Sequence, residues 1–316
     1  MRVLVCGSSG CIGSAVVHAL RWRGHRVVET RRSVAAGDVD AIALDFARLT
    51  PVDAWARQLA ALDVDTVVNC AGTPLPGAAS PLADRLHGDG PSTLFRGAQR
   101  ARIARIVNVS ALSCDGGDDG WRAKHAADAA LLRLDVDAVV VRPSLVYGPG
   151  SRSAEAIAEL ALVPIQIVPN PGHALLQPIH VFELAEAVAA LVERTGAARG
   201  VYELAGADVV SYRELLAAMR IAQGAAAPLA VSVPMLIARV ASRLTRAPAR
   251  RLRDAAVLRL LTHAGVAHRN AAATLLGRAP STLAEGLRVT PPARPPSSKA
   301  SSARSSHWLH PSRGAL

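Results

Sequence analysis

The chain has 316 residues, 50% of them apolar but only 3% aromatic, and 19% charged; this excludes collagen-like, coiled-coil and wholly disordered chains and leaves room for one large α/β domain with an appended lobe and an aliphatic core. No apolar run reaches the about 18 uninterrupted residues of a spanning helix, and the chain opens directly on a strand-like run, Arg2-Val3-Leu4-Val5-Cys6, so a cytoplasmic protein without a cleaved leader, at most peripheral to a membrane, is expected. The formal charge of +11 is lopsided: residues 1–238 carry 22 Arg and Lys against 23 Asp and Glu, whereas residues 239–316 carry 14 against Asp254 and Glu285 alone.

Short β-branched runs alternate with helical stretches through the first two hundred residues, the pattern of βαβ units in a parallel, doubly wound sheet. Strands are expected at Arg2–Cys6, Arg26–Thr30, Thr66–Asn69, Ile106–Val109, Ala138–Val141 and Ile165–Val168, with Val201–Leu204 as a seventh candidate. The crossovers read as helices over Cys11–Trp22, Pro51–Leu62, Pro81–Arg100 and Trp121–Leu134. After Ser211 the pattern turns helical, at Tyr212–Ile221, Val233–Leu244 and Asp254–Thr262, forming a small C-terminal lobe over 207–288. The stretch 289–316 holds Pro, Ser and basic residues without an acid and is expected to be a disordered basic tail. Cys6, Cys11, Cys70 and Cys114 share no CxxC or Cys/His spacing, so neither a disulfide framework nor a metal site is expected.

Gly7-Ser8-Ser9-Gly10-Cys11-Ile12-Gly13 follows the first strand and opens the first helix. Glycines at this junction let the chain turn sharply, let backbone approach a pyrophosphate and let helix pack on strand, while the helix N-terminus offers N–H groups and positive potential. The end of the second strand is where an adenosine ribose falls, and there the chain reads Glu29-Thr30-Arg31-Arg32. Two guanidinium groups suit a 2′-phosphate, so NADP(H) is favoured over NAD(H), although Glu29 could still serve as a ribose-binding acid. Asp45-Phe46 and Asn69-Cys70-Ala71-Gly72 stand at further strand ends, the ligand-binding edge of such sheets.

These residues, with Arg142-Pro143-Ser144-Leu145-Val146-Tyr147-Gly148-Pro149 and Gln177-Pro178-Ile179-His180-Val181, resemble the short-chain dehydrogenase/reductase superfamily in its extended and atypical branches, the NAD-dependent epimerase/dehydratase type. The resemblance covers about residues 1–206 and implies a Rossmann domain there, with Gly7 to Gly13, Arg31, Arg32, Asp45, Phe46, Cys70, Ala71, Gly72, Lys124 and Pro143 at the cofactor. It also implies a catalytic Tyr-x-x-x-Lys pair and a hydroxyl after the fourth strand. Lys124 is the only lysine in residues 1–298, and in an arginine-rich chain its compact ammonium suits reaching a ribose and lowering a neighbouring pKa. Yet Gly120 stands where the tyrosine belongs, Leu112 occupies the usual hydroxyl position, and Ser110 and Ser113 flank it. Keeping the nucleotide site while lacking the tyrosine resembles the NADPH-carrying accessory subunit of respiratory complex I and its bacterial relatives, as does Leu275-Leu276-Gly277-Arg278-Ala279-Pro280. That implies an atypical member with a structural, sensory or assembly role. The alternative is an active oxidoreductase or sugar-nucleotide epimerase/dehydratase using Lys124 with Ser110, Ser113 or a water.

His180 reads as a structural hydrogen-bonding residue. The apolar stretch Ala225–Leu244, followed by Arg246, Arg250, Arg251 and Arg253, fits a lobe helix with a solvated arginine face or a surface for a membrane or larger assembly. Without aromatic interleaving the charge does not point to nucleic acid.

Overall fold

The structure is a computed structural model and describes residues 1–31, 33–34, 38, 40–46, 48–72, 81–112, 119–163, 165–170, 175–226, 229–234 and 265–292. Its centre is a seven-stranded sheet. The members are β1 (Arg2–Cys6), β2 (Arg26–Arg31), β3 (Ala41–Ala43), β4 (Thr66–Asn69), β5 (Arg105–Val109), β6 (Asp137–Pro143) and, after the short strands β7 (Val146–Tyr147), β8 (Ile165–Asn170), β9 (Leu175–Leu176) and β10 (Ile179–His180), β11 (Gly200–Leu204). Their order is β11-β6-β5-β4-β1-β2-β3, and every pairing within the sheet is parallel. Residues buried on both faces, such as Val3, Leu4, Val5 and Cys6 in β1, explain why these strands read as continuous apolar runs.

Helices cover both faces. On one side α1 (Cys11–Trp22) packs beside α7 (Val181–Glu193) over a cluster built from Val3, Val5, Val16, Leu20, Val107, Val139 and Leu184. On the other, α2 (Val52–Leu62), α4 (Gly90–Arg100) and α5 (Asp119–Leu132) cover Leu4, Val28, Val67, Ile106 and Val140, with Trp55 and Phe95 as the large fillers. The expected single helix Pro81–Arg100 is one continuous helical run with a π-helical turn in it: α3 (Pro81–Asp84), the π turn Arg85–Asp89, then α4. A third cluster joins Leu145 and Tyr147 to α6 (Arg152–Ala161), α8 (Tyr212–Ala222) and α10 (Leu283–Val289).

The seventh candidate, Val201–Leu204, joins the sheet as its edge strand β11, whereas one of the other expected members does not. The short β12 (Val210–Ser211) pairs antiparallel with β9; Ile165–Val168 does form a strand, but β8 pairs in parallel with β13 (Leu229–Pro234) in a separate two-stranded sheet. The seven strands are completed instead by the three-residue β3, at the edge opposite β11. Residues Val233 and Pro234, expected to begin a helix, end β13 instead; the rest of Val233–Leu244, all of Asp254–Thr262 and residues 293–316 lie outside the described residues. The late chain returns to the first domain, since α9 (Ala272–Leu276) contributes buried Ala272 to the cluster beneath α1 and α7, and Asn270 bridges Glu203 at the sheet edge.

Arg105 binds the sheet to the end of α7. Its buried guanidinium donates to the carbonyls of Leu191 at 2.8 Å, Val192 at 2.9 Å, Arg194 at 2.9 Å and Gly196 at 2.7 Å. It also ion-pairs with Asp137 at 2.7 Å. One side chain thus satisfies carbonyls that a helix C-terminus leaves without partners.

Candidate functional site

The turn after β1 is shaped by two contacts that exclude side chains. Gly7 has φ +75°, and a Cβ there would lie 2.7 Å from Ala71, while a Cβ on Gly13 would lie 2.1 Å from the Gly7 carbonyl. Backbone of β1, α1 and the β4 end therefore converge more closely than any other residue permits. The loop is held from the side by β2: the Gly7 N–H donates to Thr30 Oγ1 at 2.9 Å and the Ser8 hydroxyl donates to the Thr30 carbonyl at 2.8 Å. Gly10 caps α1 without a side-chain hydrogen bond, and the first turn holds no acid. The N–H groups at the start of α1, with the exposed Ser9 beside them, thus form an electropositive end suited to a phosphate. The Cys11 thiol donates to the Pro149 carbonyl at 3.3 Å, anchoring the Arg142–Pro149 segment to this helix, and Ile12 packs on the α1–α7 cluster.

At the β2 end, Arg31 is 48% exposed at the tip of the strand. The Glu29 carboxylate is engaged by Arg21 of α1 at 2.8 Å and by Arg31 at 3.5 Å, and Arg31 also meets Asp38 at 3.4 Å. Arg32 lies outside the described residues. Asp45 is exposed just beyond β3, whereas Phe46 is buried with its ring 6.3 Å from that of Trp55, so its side chain belongs to the core.

On the other side of β1, the strand ends carry a buried polar ladder. Asn69 Nδ2 donates to Asn108 Oδ1 at 2.8 Å, Asn108 Nδ2 donates to Asp128 Oδ1 at 3.0 Å, and Arg142 Nε donates to Asp128 Oδ2 at 3.2 Å. Burial raises the Asp128 carboxyl above its usual range, opposed by hydrogen bonds from the Ser110 hydroxyl and Arg142 and by the charges of Arg142 and Lys124. This ladder joins β4, β5, β6 and α5, and fixes where Lys124 stands, one helical turn before Asp128. Gly120 lies in the first turn of α5 in helical backbone, one turn before Lys124. Ser110 is brought into the ladder; Ser113 lies outside the described residues. Cys70 is partly buried against the α1–α7 cluster, and desolvation pushes its thiol up to about 12 in spite of Lys124, which leaves it a packing residue. Ala71 is held by its N–H on Asn69 Oδ1 at 3.2 Å, Gly72 follows at the site edge, and Pro143 ends β6 beside Leu204.

Sequence reasoning missed Asn108, Asp128 and Arg142 as one unit. The signal was a polar residue in each of two apolar strands, plus an acid four residues after Lys124, hence on the same helix face. His180 plays the structural part read for it: its Nδ1 accepts from the Phe182 N–H at 3.3 Å at the start of α7, and its Nε2 meets Thr290 Oγ1 at 3.2 Å.

A glycine-turned strand-to-helix junction at the centre of a parallel sheet, with polar groups gathered at the strand ends on either side, defines a doubly wound α/β protein of the dinucleotide-binding type. Residues 3–120 match the model of the NAD dependent epimerase/dehydratase family, and the chain belongs to that family. It is 30% identical over 221 residues to a 3-diazoavenalumate denitrifying reductase of a Streptomyces species, covering 61% of this chain and 72% of the relative. It is 24% identical over 226 residues to the mitochondrial NADH dehydrogenase [ubiquinone] 1 alpha subcomplex subunit 9 of Arabidopsis thaliana, covering 67% of this chain and 55% of that one. Among solved structures, MoeE5 in complex with UDP-glucose and NAD superimposes with a TM-score of 0.66 over 92% of this chain and 97% of its own, at 23% identity, a likeness of fold.

Proposed function

We propose that this chain binds NADP(H), in preference to NAD(H), across the strand ends and lacks the tyrosine-based proton relay, so that the nucleotide serves a structural, sensory or assembly role. The observation that carries the reading is Gly120, in the first turn of the helix that presents Lys124, in a chain whose Gly7 and Gly13 leave no room for side chains in the nucleotide turn. In this reading the N-terminus of α1 holds the pyrophosphate, the β2 tip takes the adenosine side, and Lys124 with the backbone near Pro143 takes the nicotinamide side. When bound, the cofactor would supply a hydride donor or acceptor; the chain's own residues orient it. The preference for a 2′-phosphate is supported by the tip itself. Glu29 is engaged by Arg21 and Arg31, which offsets the charge that would repel a phosphate, and Arg31, although it also meets Asp38, stays half exposed. Titration calorimetry tests this: NADPH is expected to bind tighter than NADH, and an NADH preference of about tenfold, about 1.4 kcal/mol, overturns the arginine argument.

A second reading, an active reductase or epimerase, is favoured by the reductase name of the Streptomyces relative and by the hydrogen-bonded pair Ser110 and Asp128 near Lys124. Turnover of NADPH with small ketones, quinones or sugar nucleotides by the unaltered chain decides for it.

A further inference from the structure

Among the buried polar groups of the described residues, the imidazole of His87 stands out. His87, at the centre of the π turn Arg85–Asp89, is 3% exposed, and its Nε2 is buried without a hydrogen-bond partner among the described residues. Burying such an atom unpaired is costly because its hydration is lost with nothing in return, so an orphan of this kind calls for an explanation. The π turn is itself informative, since one extra residue per turn shifts the side chains that follow, and such turns gather at functional sites.

The surroundings give the explanation its direction. The ring of His87 lies against the end of β4, where a Cβ on Gly72 would come within 3.2 Å of its Cε1. Gly88, the next residue, faces Ala123, where its Cβ would meet that of Ala123 at 3.4 Å, so the π turn abuts α5 immediately beside Lys124. Burial, with a smaller contribution from the Lys124 charge, holds the His87 imidazole down at about 3. At neutral pH the ring is therefore an uncharged donor–acceptor.

The sheet order says which half of a dinucleotide would lie here. β1 has β2 on one side and β4 on the other. With the pyrophosphate at the α1 N-terminus and the adenosine at the β2 tip, the remaining ribose and nicotinamide extend over β4 and β5, toward Gly72, His87 and Lys124. We infer that His87 Nε2 is a cofactor-binding group that hydrogen-bonds a ribose hydroxyl on the nicotinamide half of the dinucleotide, sharing that sugar with Lys124. This rests on the dinucleotide reading above and adds a residue to it. The orphan nitrogen then gains the partner that the described residues do not supply, and Gly72 is needed because any side chain would press on the ring.

The test compares the dinucleotide with its adenosine fragment. Wild type, His87→Phe and His87→Gln are titrated with NADPH and with adenosine 2′,5′-bisphosphate, or with NADH and ADP if wild type prefers those. His87→Phe fills the space without a hydrogen bond and is expected to weaken the dinucleotide at least tenfold while leaving the fragment within twofold; glutamine, which reaches a similar position with a polar end, is expected to recover most of the loss. In ¹⁵N-histidine spectra of the unaltered protein, the His87 Nε2 resonance is expected to move with the dinucleotide and stay still with the fragment, a readout that does not depend on any variant folding. An Nε2 resonance that ignores the dinucleotide, or a His87→Phe chain that binds it like wild type, overturns the inference while the cofactor reading stands. A wild-type chain that binds neither dinucleotide overturns both.

Discussion

A hydroxyl one helical turn before a lysine is placed to exchange a proton under the influence of the ammonium; in the proposed reading Gly120 stands in place of that hydroxyl, while Lys124 and the residues around its turn remain. Asp128, Asn108 and Arg142 still fix the turn of α5 on which Lys124 stands. Because Gly120 lies in helical backbone, a tyrosine there meets no demand for positive φ. Gly120→Tyr is therefore expected to fold and to create NADPH-dependent reduction of a generic carbonyl where the parent shows none. The assay follows NADPH absorbance with the carbonyl in excess. A folded, NADPH-binding and inactive variant would show that more than the tyrosine has been lost, and an active parent would remove the pseudoenzyme reading altogether.

Among the elements, the joint between β5 and α7 rests on Arg105. Its guanidinium is held by four carbonyls and Asp137, and the same Asp137 accepts the Ala198 N–H at 3.0 Å. Arg105→Met keeps the apolar stem but leaves a buried carboxylate and several carbonyls unpaired. Removing one partner of such an arrangement costs about 3–5 kcal/mol, and urea denaturation is expected to show a loss of that size; a loss below about 1 kcal/mol would mean that water takes over these groups. The sequence announced neither this role nor the fate of Ile165–Val168. Period and β-branching mark that segment as a strand, but its partner is Leu229–Pro234, some sixty residues on, and pairing over that separation leaves no local trace. The strands and helices of the first domain and the glycine turn were legible because their signals are local: alternation of apolar runs, and three glycines at a strand–helix junction. His87 and the Asn69–Asn108–Asp128 ladder were not, because each depends on residues brought together from separate elements and, for His87, on a π turn that helical periodicity does not reveal.

For the whole molecule the lopsided charge remains to be placed. Of the 14 basic residues after position 238, Arg239, Arg243, Arg246, Arg250, Arg251 and Arg253 fall within fifteen residues of one another, and no helix among the described residues is long and apolar enough to cross a membrane. We propose that this basic stretch docks the protein on an anionic membrane surface, where each arginine near the lipid contributes about 1 kcal/mol. Removing everything after residue 238 is a poor test, because Ala272, Leu283 and Leu287 are buried in the core clusters and their loss would unfold what is being measured. Replacing the six arginines by glutamine leaves those contacts in place. Unaltered protein is expected to float with phosphatidylserine-containing vesicles at low salt and to be released near 1 M, where the screening length falls to about 3 Å. The six-fold variant is expected to stay in the soluble fraction at every salt concentration; flotation equal to the parent's would place the affinity elsewhere, in the apolar part of the segment or in the final residues of the chain.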